Sequence, residues 1–183
     1  MQRIFEILFE LIKDIIMNLR NVANTHMELN MCMLGARGVG KTSVMTAIFD
    51  ESRSSGGLVS SKVALKASDD TRTELSSKKD ELQEIFDNEQ EIVKTGISAS
   101  EAAHFFDFEM GLIGRTPCVS FRVTDYPGEF LSSNPAFVNE QLTKSSVIFI
   151  AIDSPYLMEE NAQYNEARNQ ISLIYEYLQK NYG

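Results

Sequence analysis

The chain has 183 residues, which is enough for one domain with a sizeable buried core. A formal net charge of -9 argues against broad attraction to nucleic acid or anionic lipid, so we expect no nucleic-acid partner. No apolar stretch is long enough to span a bilayer, and the cysteines do not have the spacing of a metal site. Cys32 and Cys118 both lie in apolar segments, which is typical of reduced core thiols in a cytoplasmic protein.

Residues 2–22 have the spacing of an amphipathic helix, and with a short linker they form a segment of residues 1–24 ahead of a domain at 25–183. Glu6 and Glu10 are among the charges that keep this helix from crossing a membrane. It can dock on its own domain, or it can pack with a protein partner or a second copy of the chain. Attachment to a membrane surface is the least favoured reading, because the polar face lacks an excess of lysine and arginine.

Residues 35–42 read Gly-Ala-Arg-Gly-Val-Gly-Lys-Thr, which is the pattern of a phosphate-binding loop, or Walker A sequence. An apolar strand at 29–34 precedes the loop, and a helix from Lys41 to about Glu51 follows it, as this kind of loop requires. Glycines aim backbone N–H groups at a phosphate, while the lysine supplies charge and the threonine can ligate Mg²⁺. The predicted nucleotide-binding residues here are Gly35, Arg37, Gly38, Val39, Gly40, Lys41, Thr42 and Ser43.

The central part of the chain predicts an insertion at about 52–94, followed by a β-hairpin. The insertion begins with a Ser/Gly loop and continues as a charged helix at 69–93, whereas residues 59–65 are too short and polar to predict a strand. Alternating apolar residues at 103–112 and 118–124 predict the two strands of the hairpin, each with one wetter face.

The second hairpin strand ends in Asp125-Tyr126-Pro127-Gly128-Glu129, which contains the pattern Asp-x-x-Gly. At the carboxyl end of a sheet, Asp125 can hold Mg²⁺ and Gly128 can bring its N–H to a γ-phosphate. The near-continuous apolar run at 145–153 predicts a fully buried strand, and 159–180 predicts a final helix. The predicted buried face of that helix comprises Ala167, Ile171, Ile174, Tyr175 and Leu178.

In this order of elements, residues 29–181 resemble the Ras-like P-loop GTPases. The amino-acid sequence at 125–129, around Gly128, resembles that of bacterial proteins of the YcjX and double-GTPase kind. The resemblance implies an α/β fold of the P-loop NTPase type, a three-layer sandwich whose sheet is mostly parallel with one antiparallel hairpin strand. It also implies a switch-one residue that contacts the metal. Thr95 is the first candidate for this residue, and Ser98 and Ser100 are the next candidates.

The chain departs from the Ras-like pattern at three places. Glu129 stands where small GTPases commonly carry the glutamine that orients water; it can orient water, act as a base, or pair with a cation. Arg37 occupies a position that is glycine in Ras-type loops, and it can contact phosphate, contact a partner's nucleotide, or lie in solvent. The guanine-reading N/T-K-x-D sequence does not occur before Gly183, so we expect an amino-terminal part of a longer protein, incomplete at the carboxyl end of the sheet.

The sequence leaves three functions open. The first is a Mg²⁺-dependent, GTPase-like switch in which Lys41 neutralises charge, Thr42 and Asp125 hold the metal, and Glu129 serves hydrolysis. The second is an ATPase or a kinase-like P-loop enzyme. The third is a nucleotide-binding interaction module with little hydrolysis, which docks through helix 2–22.

Overall fold

A computed structural model describes residues 26–54, 63–87, 102–152 and 162–183 of the chain. The predicted helix 2–22, the switch-one candidates Thr95, Ser98 and Ser100, and the end of the predicted strand at Asp153 lie outside these described residues. The elements in chain order are β1 (Met27–Gly35), α1 (Lys41–Ser54), β2 (Val63–Ala67), α2 (Asp69–Asp87), β3 (His104–Leu112), β4 (Val119–Asp125), α3 (Phe130–Ser133), α4 (Pro135–Lys144), β5 (Val147–Ala151) and α5 (Ala162–Tyr182).

The described strands form one five-stranded mixed sheet in the order β2-β3-β4-β1-β5. β1 runs parallel to both β4 and β5, whereas β3 runs antiparallel to both β2 and β4. The predicted hairpin of β3 and β4 is therefore confirmed, and β3 alone runs against the other described strands. Because β4, β1 and β5 are parallel neighbours, their carboxyl ends meet at one edge of the sheet.

Helices pack on both faces of the sheet, an arrangement compatible with a three-layer α/β fold. Alternate residues of β1 show this directly, because Met31 and Met33 join one core while Cys32 and Leu34 join the other. The first core includes Met45 and Phe49 of α1 and Leu75 of α2, together with apolar residues of β2, β3 and β4. The second core is built with α3, α4 and α5 through Leu131, Val138, Leu142, Ile174 and Tyr177.

The segment after the Ser/Gly loop contains a strand that the sequence did not predict. β2 is only five residues long and carries the exposed Lys66, so its own pattern is weak. It forms at the sheet edge by pairing with β3, with Leu65 opposite Met110. α2 follows at once, capped by the Ser68 hydroxyl, which accepts a hydrogen bond from the Thr71 N–H at 3.2 Å.

β5 corrects the expectation of a fully buried strand. Among the described strands it has a neighbour on one side only, β1, so its other edge lacks cover from the described sheet. The side chains of Val147, Ile148 and Phe149 are only partly buried, and Ile150 is 44% exposed. An apolar run therefore predicted the strand correctly but not its position at an edge.

The last helix matches its prediction in place but not in every contact. α5 begins at Ala162 and ends at Tyr182, and Ile174 is buried as expected. Tyr175, predicted on the buried face, is 62% exposed, and Tyr177 is buried instead. The Tyr177 hydroxyl donates a hydrogen bond to the Leu131 carbonyl at 2.7 Å, which explains why this face turns inward.

α3 and α4 were not predicted, although the sequence carries a start signal for the second of them. The Asn134 side chain accepts a hydrogen bond from the Phe137 N–H, and Pro135 occupies the first helical turn. Within the described parts of the chain, no helix has the length and apolar character to cross a membrane.

Candidate functional site: a phosphate-binding loop against the end of β4

The loop between β1 and α1 has the backbone conformation that its glycines predict. Gly38 and Gly40 have φ angles of 78° and 87°, a region that residues with side chains rarely adopt. Space is not what requires glycine at position 40, because a Cβ there would meet no atom within 4 Å. Backbone conformation therefore accounts for Gly40, and the loop folds into the turn expected of a phosphate cradle.

Gly35 is required for a different reason, because it lies against the end of β5. A Cβ at Gly35 would lie 2.8 Å from the Ala151 carbonyl oxygen and 3.0 Å from a methyl carbon of Val39. Arg37 and Gly38 are exposed at the top of the loop, and Ser43 is exposed in the first turn of α1. The loop thus combines a packed base with an accessible rim at the amino end of a helix, where partial positive charge favours an anion.

Lys41 is buried within the loop, with a relative exposure of 7%. Its Nζ donates hydrogen bonds to the carbonyl oxygens of Gly35 and Ala36, each at 3.0 Å. An ammonium group has three donors, so these two bonds orient the group and leave capacity for an anionic ligand. Burial lowers the pKa of Lys41, and the charges of Asp125 and Glu129 oppose that shift.

Asp125 joins the carboxyl end of β4 to the end of the loop between β1 and α1. The Thr42 hydroxyl donates to its Oδ2 at 2.6 Å, so residues 83 apart in sequence are in direct contact. The Asp125 side chain is fully buried, and its Oδ1 has no hydrogen-bond partner among the described residues. Burial raises the pKa of this carboxyl, while the Thr42 hydrogen bond and the Lys41 charge oppose the rise.

The unpaired oxygen of Asp125 bears on whether Asp125 and Thr42 suit a magnesium ion. A buried carboxylate oxygen without a partner is costly, and beside a threonine hydroxyl it provides the hard oxygen donors that Mg²⁺ prefers. In the described segments, no group of three or more His, Cys, Asp or Glu side chains is placed to hold a metal. The donor set thus fits a metal shared with a bound phosphate rather than one enclosed by protein.

Gly128 packs directly on the backbone of the loop. A Cβ at this position would lie 2.2 Å from the Arg37 nitrogen and 2.4 Å from the Ala36 carbonyl carbon. No side chain fits there without moving the backbone, so glycine is required by the close approach itself. The Asp-x-x-Gly sequence therefore brings the segment after β4 against the loop, as its position at a strand end predicts.

Arg37 and Glu129 form an ion pair between the loop and this segment. Arg37 Nη1 lies 3.0 Å from Glu129 Oε1, and the two side chains are 42% and 27% exposed. The other carboxylate oxygen, Oε2, is buried and has no hydrogen-bond partner in the described part of the chain. For Glu129 the structure shows one of the expected alternatives, the cation pair. Arg37 makes a contact within its own chain, which is none of the three alternatives expected for it.

A cluster of aromatic rings packs around the segment Asp125–Glu129. The Tyr126 ring is buried, stacks with Phe130 at a centroid distance of 6.2 Å and meets Phe137 edge-on at 5.7 Å. Burial raises the pKa of the Tyr126 phenol, and its hydroxyl has no hydrogen-bond partner among the described residues. The side chain of Tyr126 therefore acts as an apolar anchor between Asp125 and Gly128.

His104 is a residue near the site that sequence reasoning missed. It lies directly opposite Asp125 in the β3–β4 ladder, and its Nδ1 contacts the Glu74 carboxylate of α2. Paired residues of an antiparallel ladder project to the same face, which puts the His104 and Asp125 side chains side by side. The register of the predicted hairpin was the one signal that could have found this neighbour.

The structure brings together the predicted loop residues, Asp125, Gly128 and Glu129, and the candidate Thr95 lies outside the described residues. Comparisons of this chain with protein-family models, curated proteins and solved structures found no match.

Proposed function

We propose that this chain binds a nucleoside triphosphate with Mg²⁺ at the loop Gly35–Thr42 and hydrolyses its γ-phosphate, acting as a GTPase-like switch. The hydrogen bond from Thr42 to Asp125 is the observation that carries this proposal. It joins the two halves of a nucleotide site at the edge of the sheet where ligands of α/β proteins bind. A P-loop NTPase fold is part of the proposal, supported by β1 lying between parallel neighbours and leading through the loop into α1.

The loop supplies the contacts that hold the phosphates. Backbone N–H groups of Gly38 to Ser43 point towards the bound anion, and the amino end of α1 adds its partial positive charge. Lys41 places its ammonium at the β- and γ-phosphates, already oriented by the carbonyls of Gly35 and Ala36. This preorganised charge is the main catalytic contribution that we assign to Lys41.

Thr42 and Asp125 are the residues that would hold Mg²⁺, with phosphate oxygens and water as the remaining ligands. When bound, the ion neutralises charge on the β- and γ-phosphates. Asp125 serves this purpose best while ionised, and both Lys41 and the Thr42 hydroxyl favour that form. The buried carboxylate and the buried ammonium thus support each other's charge at the same edge of the sheet.

Gly128 and Glu129 provide the part of the site that reports the γ-phosphate. The N–H of Gly128 is placed beside the loop by a contact that only glycine permits. Glu129 orients the attacking water or takes its proton once its carboxylate is free of Arg37. Loss of the γ-phosphate removes the contact to Gly128 and lets the segment relax, which makes a switch.

A nucleotide-binding interaction module with little hydrolysis is the second candidate. The ion pair of Arg37 with Glu129 favours it, because a carboxylate engaged by a guanidinium is not free to orient an attacking water. In this reading helix 2–22 docks to a protein partner or a second copy, and the nucleotide regulates that docking. The two free cysteines fit a reducing, cytoplasmic setting for either function.

Titration of the purified chain with fluorescent GTP and ATP analogues, with and without Mg²⁺, tests the binding step and separates a GTPase from an ATPase. Lys41→Ala should weaken binding at least about tenfold, because a hydrogen bond to a charged group contributes about 1.5–3 kcal/mol. Lys144→Ala is the matched control, because Lys144 is exposed at the end of α4 and pairs with Glu140 in the neighbouring turn.

Phosphate release measured for the same proteins tests hydrolysis. Release that falls in Lys41→Ala and persists in Lys144→Ala supports the enzyme. Binding with Mg²⁺ dependence but no release supports the interaction module instead. Failure of both analogues to bind the parent protein contradicts the proposed site.

A further inference from the structure

The contact between Arg37 and Glu129 joins the two parts of the proposed site that lie nearest the γ-phosphate. Arg37 is in the exposed rim of the loop, and its backbone nitrogen touches Gly128, whose N–H we assign to the γ-phosphate. Its guanidinium is therefore close to the far end of a bound triphosphate, where a diphosphate carries no group. In the structure this guanidinium is paired with Glu129 instead.

We propose that the Arg37–Glu129 ion pair is a latch that distinguishes triphosphate from diphosphate: a γ-phosphate takes Arg37 from Glu129 and frees the Glu129 carboxylate. This inference rests on the proposed function, and it adds a phosphate-contacting role in cis for Arg37. A diphosphate leaves the pair closed. The state of the latch then depends on the one group that hydrolysis removes.

Charge and hydrogen bonding favour the exchange of partners. A guanidinium forms paired hydrogen bonds with a phosphate as well as with a carboxylate, and the phosphate carries more charge. In the structure the carboxylate is only half satisfied by the described residues, because none of them forms a hydrogen bond with the buried Oε2 of Glu129. A pair exposed to this extent is worth at most about 1 kcal/mol, so a ligand can readily displace it.

Packing supplies the second half of the latch. Gly128 abuts the loop backbone at a distance that permits no Cβ, so the residue before Glu129 is held against the backbone of Arg37. On its other side the segment is anchored by Tyr126 and followed by Phe130, which stack on each other. A change at Glu129 therefore alters the surroundings of the next residue, Phe130. This position is the one that we use for a reporter in the experiment.

The chain contains no tryptophan, so Phe130→Trp creates a single fluorescent reporter beside the latch. In this background, without nucleotide, Arg37→Gln and Glu129→Gln should shift the emission in the same direction, because each opens the latch. The reversed pair, Arg37→Glu with Glu129→Arg, should restore the parent emission. Unchanged emission in both single variants, or no recovery in the reversed pair, overturns the latch.

Nucleotide binding tests the discrimination. A non-hydrolysable triphosphate analogue should shift the reporter emission as the single variants do, and the diphosphate should leave it unchanged. Glu129→Gln should raise the ratio of triphosphate to diphosphate affinity by about fivefold, the scale of a partly exposed ion pair. Arg37→Gln should lower that ratio, and an unchanged ratio in both variants overturns the proposal.

Asp107→Asn is the matched control, because Asp107 of β3 pairs with Arg122 of β4 in a more exposed ion pair away from the loop. It should leave both the emission and the affinity ratio as in the parent. The two proposals fail in different ways. A parent protein that binds neither nucleotide contradicts the proposed function, whereas binding without the variant effects contradicts only the latch.

Discussion

Two groups of charged side chains lie on the same sheet in opposite circumstances. At the carboxyl end of β4, Lys41 and Asp125 are buried, and one carboxylate oxygen each of Asp125 and Glu129 lacks a hydrogen-bond partner within the described ranges. On the polar face of β1 to β4, charged residues line an open cavity of about 530 Å³. There Arg122 donates from Nε and Nη2 to the two carboxylate oxygens of Asp107 at 2.7 and 2.9 Å.

The difference in burial and hydrogen bonding between these two groups helps to distinguish charged residues that serve a function from charged residues that only solvate the surface. An exposed, mutually satisfied ion pair contributes little to stability and requires no ligand to explain it. A buried carboxylate with an unpaired oxygen costs free energy, and such a cost persists where a bound group repays it. The polar face therefore carries no functional assignment, whereas the end of β4 does.

Removal of the Asp125 side chain should produce the largest effect on phosphate release. It should also distinguish the two regions most clearly. Asp125→Ala should lower the rate of phosphate release by about 100-fold or more, because it removes a group assigned to the metal. Asp107→Ala should change the rate less than about twofold, since an exposed ion pair is worth little. Phosphate release at several Mg²⁺ concentrations measures both, and equal losses in the two variants would contradict the comparison.

Gly128→Ala should destabilise the protein by about 1–3 kcal/mol, the cost of overpacking, because the new Cβ meets backbone atoms of the loop. Gly114 is the matched position, because it has a φ of 72° but nothing within 4 Å of a Cβ. Gly114→Ala should cost about 1 kcal/mol in backbone strain and leave nucleotide binding unchanged. Chemical unfolding and nucleotide titration of both variants measure the two effects separately.

Asp125→Asn should stabilise the nucleotide-free protein near neutral pH while weakening Mg²⁺-dependent binding. The folded-state pKa of Asp125 is raised by burial, so the folded chain binds this proton more readily than the unfolded chain. Stability from this group is therefore fully present below the unfolded pKa and falls as pH rises through the folded pKa.

The gain at neutral pH should be on the order of 1–2 kcal/mol, the cost of an unsatisfied buried polar group. It should shrink as pH falls and the parent carboxyl becomes protonated. Thermal unfolding of parent and variant from acid to neutral pH measures the difference. A constant difference at all pH values would show that the carboxyl charge is not its source.

The smallest effect is expected on the polar face. Arg122→Gln should lower the free energy of unfolding by about 0.2–1 kcal/mol, and high salt should reduce the difference further. The Arg122 guanidinium also lies 5.8 Å from the ring centre of Phe105, so the loss includes a cation–π contact. A salt-independent loss of several kcal/mol would mean that this region is less well solvated than its exposure indicates.

Much of the architecture follows from local patterns in the sequence. The apolar run before Gly35, the alternation in β3 and β4, and the helical spacing after Lys41 each predict an element that the structure contains. Tertiary context decided the rest. β2 depends on its pairing with β3, and the exposure of Ile150 depends on β5 lying at an edge, which no feature of the run itself reveals.

The candidate site shows the same division. Glycine, lysine and threonine spacing places Lys41 and Thr42, and a strand end followed by Asp-x-x-Gly places Asp125 beside them. The pairing of Arg37 with Glu129 needs the folded loop, and the approach of His104 to Asp125 needs the hairpin register. The sequence therefore predicts residues with a recognisable chemical role, such as Lys41 and Asp125, more easily than it predicts the side chains that lie against them in the fold.

The buried hydroxyl of Tyr177 gives the segment after Gly128 a mechanical link to the last helix. Its hydrogen bond ends on the carbonyl of Leu131, within α3, and α5 also contacts α4 through Asn181 and Asn139. The helix that directly follows Glu129 is thus joined by a hydrogen bond to a helix of 21 residues that carries exposed aromatic rings, including Tyr175. Under the proposed function, a movement of the segment after Gly128 is expected to reach the surface of α5, away from the nucleotide.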